Sequence, residues 1–162
     1  TMAYERPDIS PVHFPAFVEG LPSMEGKTVV VTGTTSGTGS VAARVLLQLG
    51  AKVLLLNRPS ERSTSSFASL KAAFPDSEVR AVDCDLQSFA SVDGAAAKVA
   101  ELCPEGVHVQ CNNAGVMALS DTATPDGFDV QMQTNHLSHF LLTRELMPLL
   151  ERAADALSLI HI

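Results

Sequence analysis

The chain has 162 residues, 46% of them hydrophobic and 18% charged, with a formal net charge of −7. That hydrophobic fraction excludes a disordered acidic tail, which lacks the Val, Leu and Ile needed to form a core. The acidic balance excludes a nucleic-acid partner, because binding phosphate backbones takes a concentrated basic face, and Lys27, Arg44, Lys52, Arg58, Arg62, Lys71, Arg80 and Lys98 are scattered along the chain.

Residues 1–26 hold Pro7, Pro11, Pro15 and Pro22 of the nine prolines and show neither helical nor strand periodicity. They are expected to form an extended Pro-rich arm, leaving open whether Phe14 and Phe17 pack on the domain. After Gly26 the texture changes. Residues 28–32, Thr-Val-Val-Val-Thr, predict a strand buried on both faces. A glycine-rich turn follows, then Val41, Ala42, Val45, Leu46 and Leu49 at helical spacing, with Gly50 as the C-terminal stop. Further apolar runs at 53–56, 79–82 and 107–111 alternate with helix-like stretches at 66–74 and 88–102. Strand and helix alternating at intervals of roughly 25 residues predict right-handed crossovers and an α/β fold with a parallel sheet. The last long helix is expected to begin with Thr124 as its cap and Pro125 at its first position, running past Asn135 and Leu146 toward Glu151.

Three cysteines, Cys84, Cys103 and Cys111, form an odd set without metal-ligand spacing and read as reduced, buried thiols. No apolar run approaches the roughly 18 residues of an integral membrane segment. Residues 1–26 also lack a signal-peptide pattern. A soluble, intracellular protein of the cytoplasm is the expectation.

The chemistry-bearing segments fall at the ends of the predicted strands. Residues 32–39 read Thr-Gly-Thr-Thr-Ser-Gly-Thr-Gly between the first strand and the first helix. There Gly33 permits a tight turn, Gly37 lets backbone N–H groups approach a pyrophosphate, and Gly39 lets the helix pack against the strand. No Gly-Lys-Ser/Thr follows, which excludes an NTPase phosphate loop. After the second strand stands Asn57-Arg58, where a carboxylate would select NAD(H). An amide and a guanidinium favour the 2′-phosphate of NADP(H), with NAD(H) as the alternative; Arg58 can equally be a solvated surface arginine, and Pro59 restricts its presentation. Asp85-Leu86 follows the third strand, and Asp85 is suited to accept from an adenine amino group, to cap the next helix, or both. The fourth strand ends in Asn112-Asn113-Ala114-Gly115, small enough for the backbone to pass close to a ribose.

Together these segments, in this order and spacing, resemble the short-chain dehydrogenase/reductase family. Val116-Met117 and the helix 132–143 extend the likeness, which is greatest to its retinol-dehydrogenase-like and protochlorophyllide-reductase-like branch and covers about residues 26–151. The resemblance implies a Rossmann-type doubly wound sheet of order 3-2-1-4. It implies that Gly33, Ser36, Gly37, Thr38 and Gly39 hold the pyrophosphate and adenosine side, that Asn113, Ala114 and Gly115 line the ribose, and that Asn135 contributes a backbone carbonyl to a proton relay. At 100° per residue Phe128, Met132, Leu142 and Leu146 lie within about 60° of Asn135, so its side chain is expected to point inward from an apolar stripe. His136 and His139 lack ligand-spaced partners and read as packing or surface residues, with no metal site.

The family's reaction moves a hydride between nicotinamide and a carbonyl or alcohol substrate, with a Tyr-x-x-x-Lys pair handling the proton. The single tyrosine here is Tyr4, and position 8 is Asp8. The sequence therefore reads as the N-terminal cofactor-binding part of such an enzyme, expected to be inactive alone, with residues 27–156 forming a partial nucleotide-binding domain whose fourth strand is an open edge. Residues 157–162, Leu-Ser-Leu-Ile-His-Ile, do not resemble the family; CTG TCT CTT ATA CAC ATC, a transposase adapter, encodes them, so a non-native tail is expected. The family's dimers pair through helices absent or incomplete in this stretch, which leaves a homo-oligomer to the complete enzyme. The rival readings are a non-catalytic dinucleotide-binding sensor or scaffold, and a different nucleotide such as an S-adenosyl donor.

Overall fold

A strand with no polar side must be covered on both faces, and the valines after Lys27 are placed accordingly. The computed structural model describes residues 10–153 and 157–160. Its elements are α1 (Ser10–Glu19), β1 (Thr28–Thr32), α2 (Gly37–Gln48), β2 (Lys52–Asn57), α3 (Glu61–Ala73), β3 (Val79–Asp83), α4 (Phe89–Leu102) and β4 (Val109–Asn112). A helical rod follows, made of α5 (Val130–Met132), a π turn (Gln133–Leu137) and α6 (Ser138–Arg152), and then β5 (Leu157–Ile160).

The sheet is parallel, in the order β3-β2-β1-β4-β5. Val30, Leu54, Leu56 and Val82 face one side, where α4 and α6 cover them with Val92, Val99, Leu142 and Leu146. Val29, Val31, Val53, Leu55 and Val79 face the other, under Ala43 and Leu47 of α2 and Leu70 of α3. Each fully buried Val or Leu contributes about 1.5–3 kcal/mol, so the two layers hold the central strands from both sides. Gly50, at φ +92°, ends α2 with its N–H on the Leu47 carbonyl while Ala51 N–H reaches that of Leu46. Alanine or leucine could not take that left-handed turn without strain.

The structure differs from the sequence expectations in four places. Part of the Pro-rich arm is helical, with Pro15 inside α1 and Val18 buried, while Phe17 is exposed. Tyr4 and the rest of residues 1–9 lie outside the described residues, as do 154–156 and 161–162. β4 is not an open edge, because Leu157–Ile160 pairs with it in parallel register, Val109 opposite Leu157.

The last helix begins later than Thr124. Thr124 instead closes a turn, with Gly127 N–H on its carbonyl and its own N–H on the Phe128 carbonyl. Asp129 is the cap, its carboxylate accepting from Met132 N–H at 2.7 Å. Finally, Asn135 does not point into an apolar stripe; it is exposed, as are Phe128 and Met132. The buried positions Val130, Thr134, Ser138, Leu142, Leu146 and Leu150 recur every four residues. In a uniform α-helix each such step overshoots a full turn by about 40°, turning Leu150 away from Val130's face. The π turn, in which Ser138 N–H bonds back to the Gln133 carbonyl, takes back part of that rotation and moves Asn135 off the buried side.

Candidate functional site: a cleft at the carboxyl ends of the strands

In parallel doubly wound sheets the ligand crevice lies outside the carboxyl ends of the strands, where the strand order reverses. Here that point is between β1 and β4, and an open cleft of about 610 Å³ occupies it. Gly33, Ser36, Thr38, Gly39, Asn57, Arg58, Asp85, Leu86, Asn113, Ala114 and Gly115 line the cleft, whereas Gly37 and Asn135 do not.

The turn after β1 is built for close approach. Gly33 adopts φ +70°, and a Cβ there would lie 2.8 Å from Ala114 Cα. A Cβ on Gly39 would overlap the Gly33 carbonyl oxygen and Asn113 Nδ2, so α2 touches β1 and the β4 turn only because residue 39 is glycine. Gly37, at φ +57°, instead has no atom within 4 Å of where its Cβ would be. Two glycines in the first turn of a helix cost roughly 1 kcal/mol each relative to alanine, so their presence marks a geometric demand.

Four of the helix starts contrast. Ser60 caps α3, Ser88 caps α4 and Asp129 caps α5, each by a side-chain oxygen on a backbone N–H. Ser36 at the start of α2 makes no such bond. The orphan N–H groups of α2 and the positive end of its dipole thus stand at the cleft wall without a side-chain cap among the described residues.

Around this turn each strand end is tied to its neighbour. Asn57 is buried; its Oδ1 accepts from Thr34 N–H at 2.8 Å and its Nδ2 donates to Thr34 Oγ1 at 2.8 Å. Its amide therefore fixes the turn, leaving Arg58 as the group beyond β2 that faces the opening. Asp85 takes Gln87 N–H on Oδ1 at 2.9 Å and does not cap α4, a task Ser88 performs. Asn113 Nδ2 donates to the carbonyls of Thr32 (2.9 Å) and Gly33 (3.1 Å). Asn135 closes a two-way bond with the backbone of Val116, donating to its carbonyl and accepting from its N–H, both at 2.8 Å. Ser138 Oγ, at the start of α6, donates to the Leu86 carbonyl at 2.6 Å, so the rod holds the loops after β3 and β4 through Ser138 and Asn135.

The sequence does not mark Arg62, Thr134 or His139 as belonging to this wall, and it marks Cys84 only as a buried thiol. Arg62, in the first turn of α3, joins Arg58 in lining the cleft, a pairing visible in the sequence only once residues 61–73 are known to be helical. Thr134 lines it too, buried, and its hydroxyl has no partner among the described residues. His139 is 1% exposed and bonds Thr32 through Nε2 at 2.9 Å and the Asn135 carbonyl through Nδ1 at 3.1 Å. Burial pushes its pKa below the usual histidine value. Burial pushes the Cys84 thiol, also in the cleft wall, up to about 12, which makes it a poor nucleophile.

Among the described residues no helix is long and apolar enough to cross a membrane. The family model for short chain dehydrogenase matches residues 27–158. Human retinol dehydrogenase 13 is 37% identical over 134 residues, covering 83% of this chain and 40% of the relative. A structure described as a Pseudomonas aeruginosa RhlG/NADP active-site complex superposes with a TM-score of 0.68 at 30% identity, covering 82% of this chain and 51% of that one. An NADPH-bound short chain oxidoreductase from Pseudomonas aeruginosa PAO1, described as having an atypical catalytic center, gives a TM-score of 0.73 at 27% identity, covering 85% and 54%. The chain thus spans 40% of the length of the retinol dehydrogenase and about half of each solved structure. With the matched family pattern covering β1 through β4 and the rod, the chain belongs to the short-chain dehydrogenase/reductase family of oxidoreductases.

Proposed function

We propose that this chain is the NADP(H)-binding part of a short-chain oxidoreductase acting on a hydrophobic carbonyl or alcohol substrate. The observation that carries the reading is the uncapped N-terminus of α2 at the strand-order reversal, walled by Gly33 and Gly39. Those glycines and the open space over Gly37 fit a pyrophosphate, whose charge the orphan N–H groups would satisfy. Arg58 and Arg62 both line the cleft, suited to a 2′-phosphate, and Asp85 Oδ2 has no hydrogen-bond partner among the described residues and is suited to accept from adenine. Asn113, Ala114 and Gly115 present backbone to the ribose. NADP(H) bound there would supply hydride transfer at its nicotinamide ring; this chain's own residues bind and orient it.

The relatives named above support the cofactor and substrate class by their descriptions. The one tyrosine, Tyr4, has no lysine four residues on, so this sequence does not itself contain the pair that handles the proton in the family's reaction. The chain alone is expected to bind NADPH without carbonyl reduction.

The test is a pair of titrations of the 162-residue chain with NADPH and NADH. Charge-assisted bonds are worth about 1.5–3 kcal/mol, so Arg58→Ala should weaken NADPH roughly 10- to 100-fold and leave NADH nearly unchanged. An unchanged NADPH/NADH ratio in Arg58→Ala would refute the assignment.

A further inference from the structure

His139 sits on the rod behind the cleft, and its hydrogen bonds determine where its proton lies. A carbonyl oxygen can only accept, so the 3.1 Å contact to Asn135 requires a proton on Nδ1. On the other side, Thr32 Oγ1 already accepts two backbone N–H groups, from Asn113 and Ala114, each at 3.0 Å. Both its lone pairs are then used, and its one proton has two candidate acceptors: His139 Nε2 at 2.9 Å and the Cys111 carbonyl at 3.4 Å. The shorter contact completes the set if Nε2 carries a lone pair. A charged imidazolium would bring a third donor to a hydroxyl with no lone pair left. Only the neutral ring with Nδ1–H satisfies every group.

We propose that His139 is a positioning residue which, as a neutral imidazole protonated on Nδ1, ties the Asn135 carbonyl of the π turn to Thr32 and through Thr32 fixes the Asn113-Ala114 wall of the cleft. Its importance for a ligand rests on the nucleotide reading above. Ala114 touches the space above Gly33, and Asn113 Nδ2 holds the carbonyls of residues 32 and 33, so a shift of this wall is passed to the pyrophosphate turn. Burial lowers the pKa of His139, the Asn135 carbonyl opposes that, and His136 lowers it further. Thr32 of β1 meets the ring with its hydroxyl, which the Asn113 and Ala114 N–H groups of the turn after β4 hold from the other side.

The decisive experiment uses the ligand-free 162-residue chain. Long-range proton–nitrogen spectra at pH 7.5 are expected to show His139 protonated at Nδ1 and bare at Nε2. Acidification should titrate the ring below the ordinary histidine midpoint, moving the Asn113 and Ala114 amide signals with it. Thr32→Val should displace those two amides, and Thr32→Ser should restore them. In NADPH titrations His139→Leu is expected to bind about tenfold more weakly, with His139→Gln, whose amide oxygen can accept from Thr32, recovering most of the loss. An Nε2-protonated ring, an ordinary midpoint, or amides indifferent to Thr32→Val would overturn the proposal. Failure of the unaltered chain to bind NADPH would overturn the nucleotide reading instead, while the ring and amide signals still decide the His139 linkage.

Discussion

Replacing Gly39 by alanine adds one methyl group where the structure has no room for it. The new Cβ would overlap the Gly33 carbonyl oxygen and Asn113 Nδ2, and it would lie 3.1 Å from the Gly33 carbonyl carbon. Two of these three atoms are backbone, so α2 must move off β1. Overpacking of this kind costs about 1–3 kcal/mol, and helix propensity returns at most about 1 kcal/mol. For a chain of this size each kcal/mol is worth roughly 2–4 °C in Tm, so thermal unfolding followed by circular dichroism should fall by several degrees. Gly94→Ala is the matched control: it lies exposed inside α4, without positive φ and with no atom within 4 Å of the new Cβ. It should raise stability by about 0.5–1 kcal/mol. If Gly39→Ala stabilises the chain as Gly94→Ala does, the close approach of α2 to β1 is wrong.

Asn57→Ala leaves the buried Thr34 N–H without its acceptor and should cost about 1–3 kcal/mol in chemical denaturation. Asn57→Asp keeps that acceptor, retains most of the stability, and should weaken NADPH relative to NADH by placing an acid beside Arg58. Because the folded pKa of His139 lies below the unfolded value of about 6.5, its contribution is complete above that pH and is lost as pH falls through the folded pKa. His108, whose Nδ1 accepts from Thr28 N–H, is shifted the same way. The His139 share is therefore the difference between the unaltered chain and His139→Gln in urea unfolding at pH 7.5 and pH 5. A loss on acidification equal in both would contradict it.

The strands were legible because a buried parallel strand writes its character locally. Val29–Val31 and Val53–Leu56 are short apolar runs between turn residues, and the structure extends them by a residue or two at most. The glycine turn was legible from the spacing of its glycines between a strand and a helix, although the atoms that exclude a side chain at Gly33 and Gly39 include Ala114 and Asn113, far along the chain, and Gly37 is marked by its positive φ alone. The start of the last helix was not, because Thr124 and Asp129 are both good caps and Pro125, Asp126 and Gly127 serve a tight turn as well as a helix entry. A π turn leaves no mark in a count that assumes 100° per residue, and such a count therefore places Asn135 on the buried face although it is exposed. His139 was invisible as a participant because its partners, Thr32 and the β4 turn, are brought to it only by the sheet order.

If the start of α2 and its glycine walls receive the pyrophosphate of NADP(H), amide signals of the labelled chain will report it during NADPH addition. Ser36, Gly37, Thr38, Gly39 and residues 113–115 should shift together, while the amides around Gly26, Gly50 and Ser77 at the opposite end of the strands should not. Shifts confined to that opposite end, or none in the α2 turn at saturating NADPH, would contradict it.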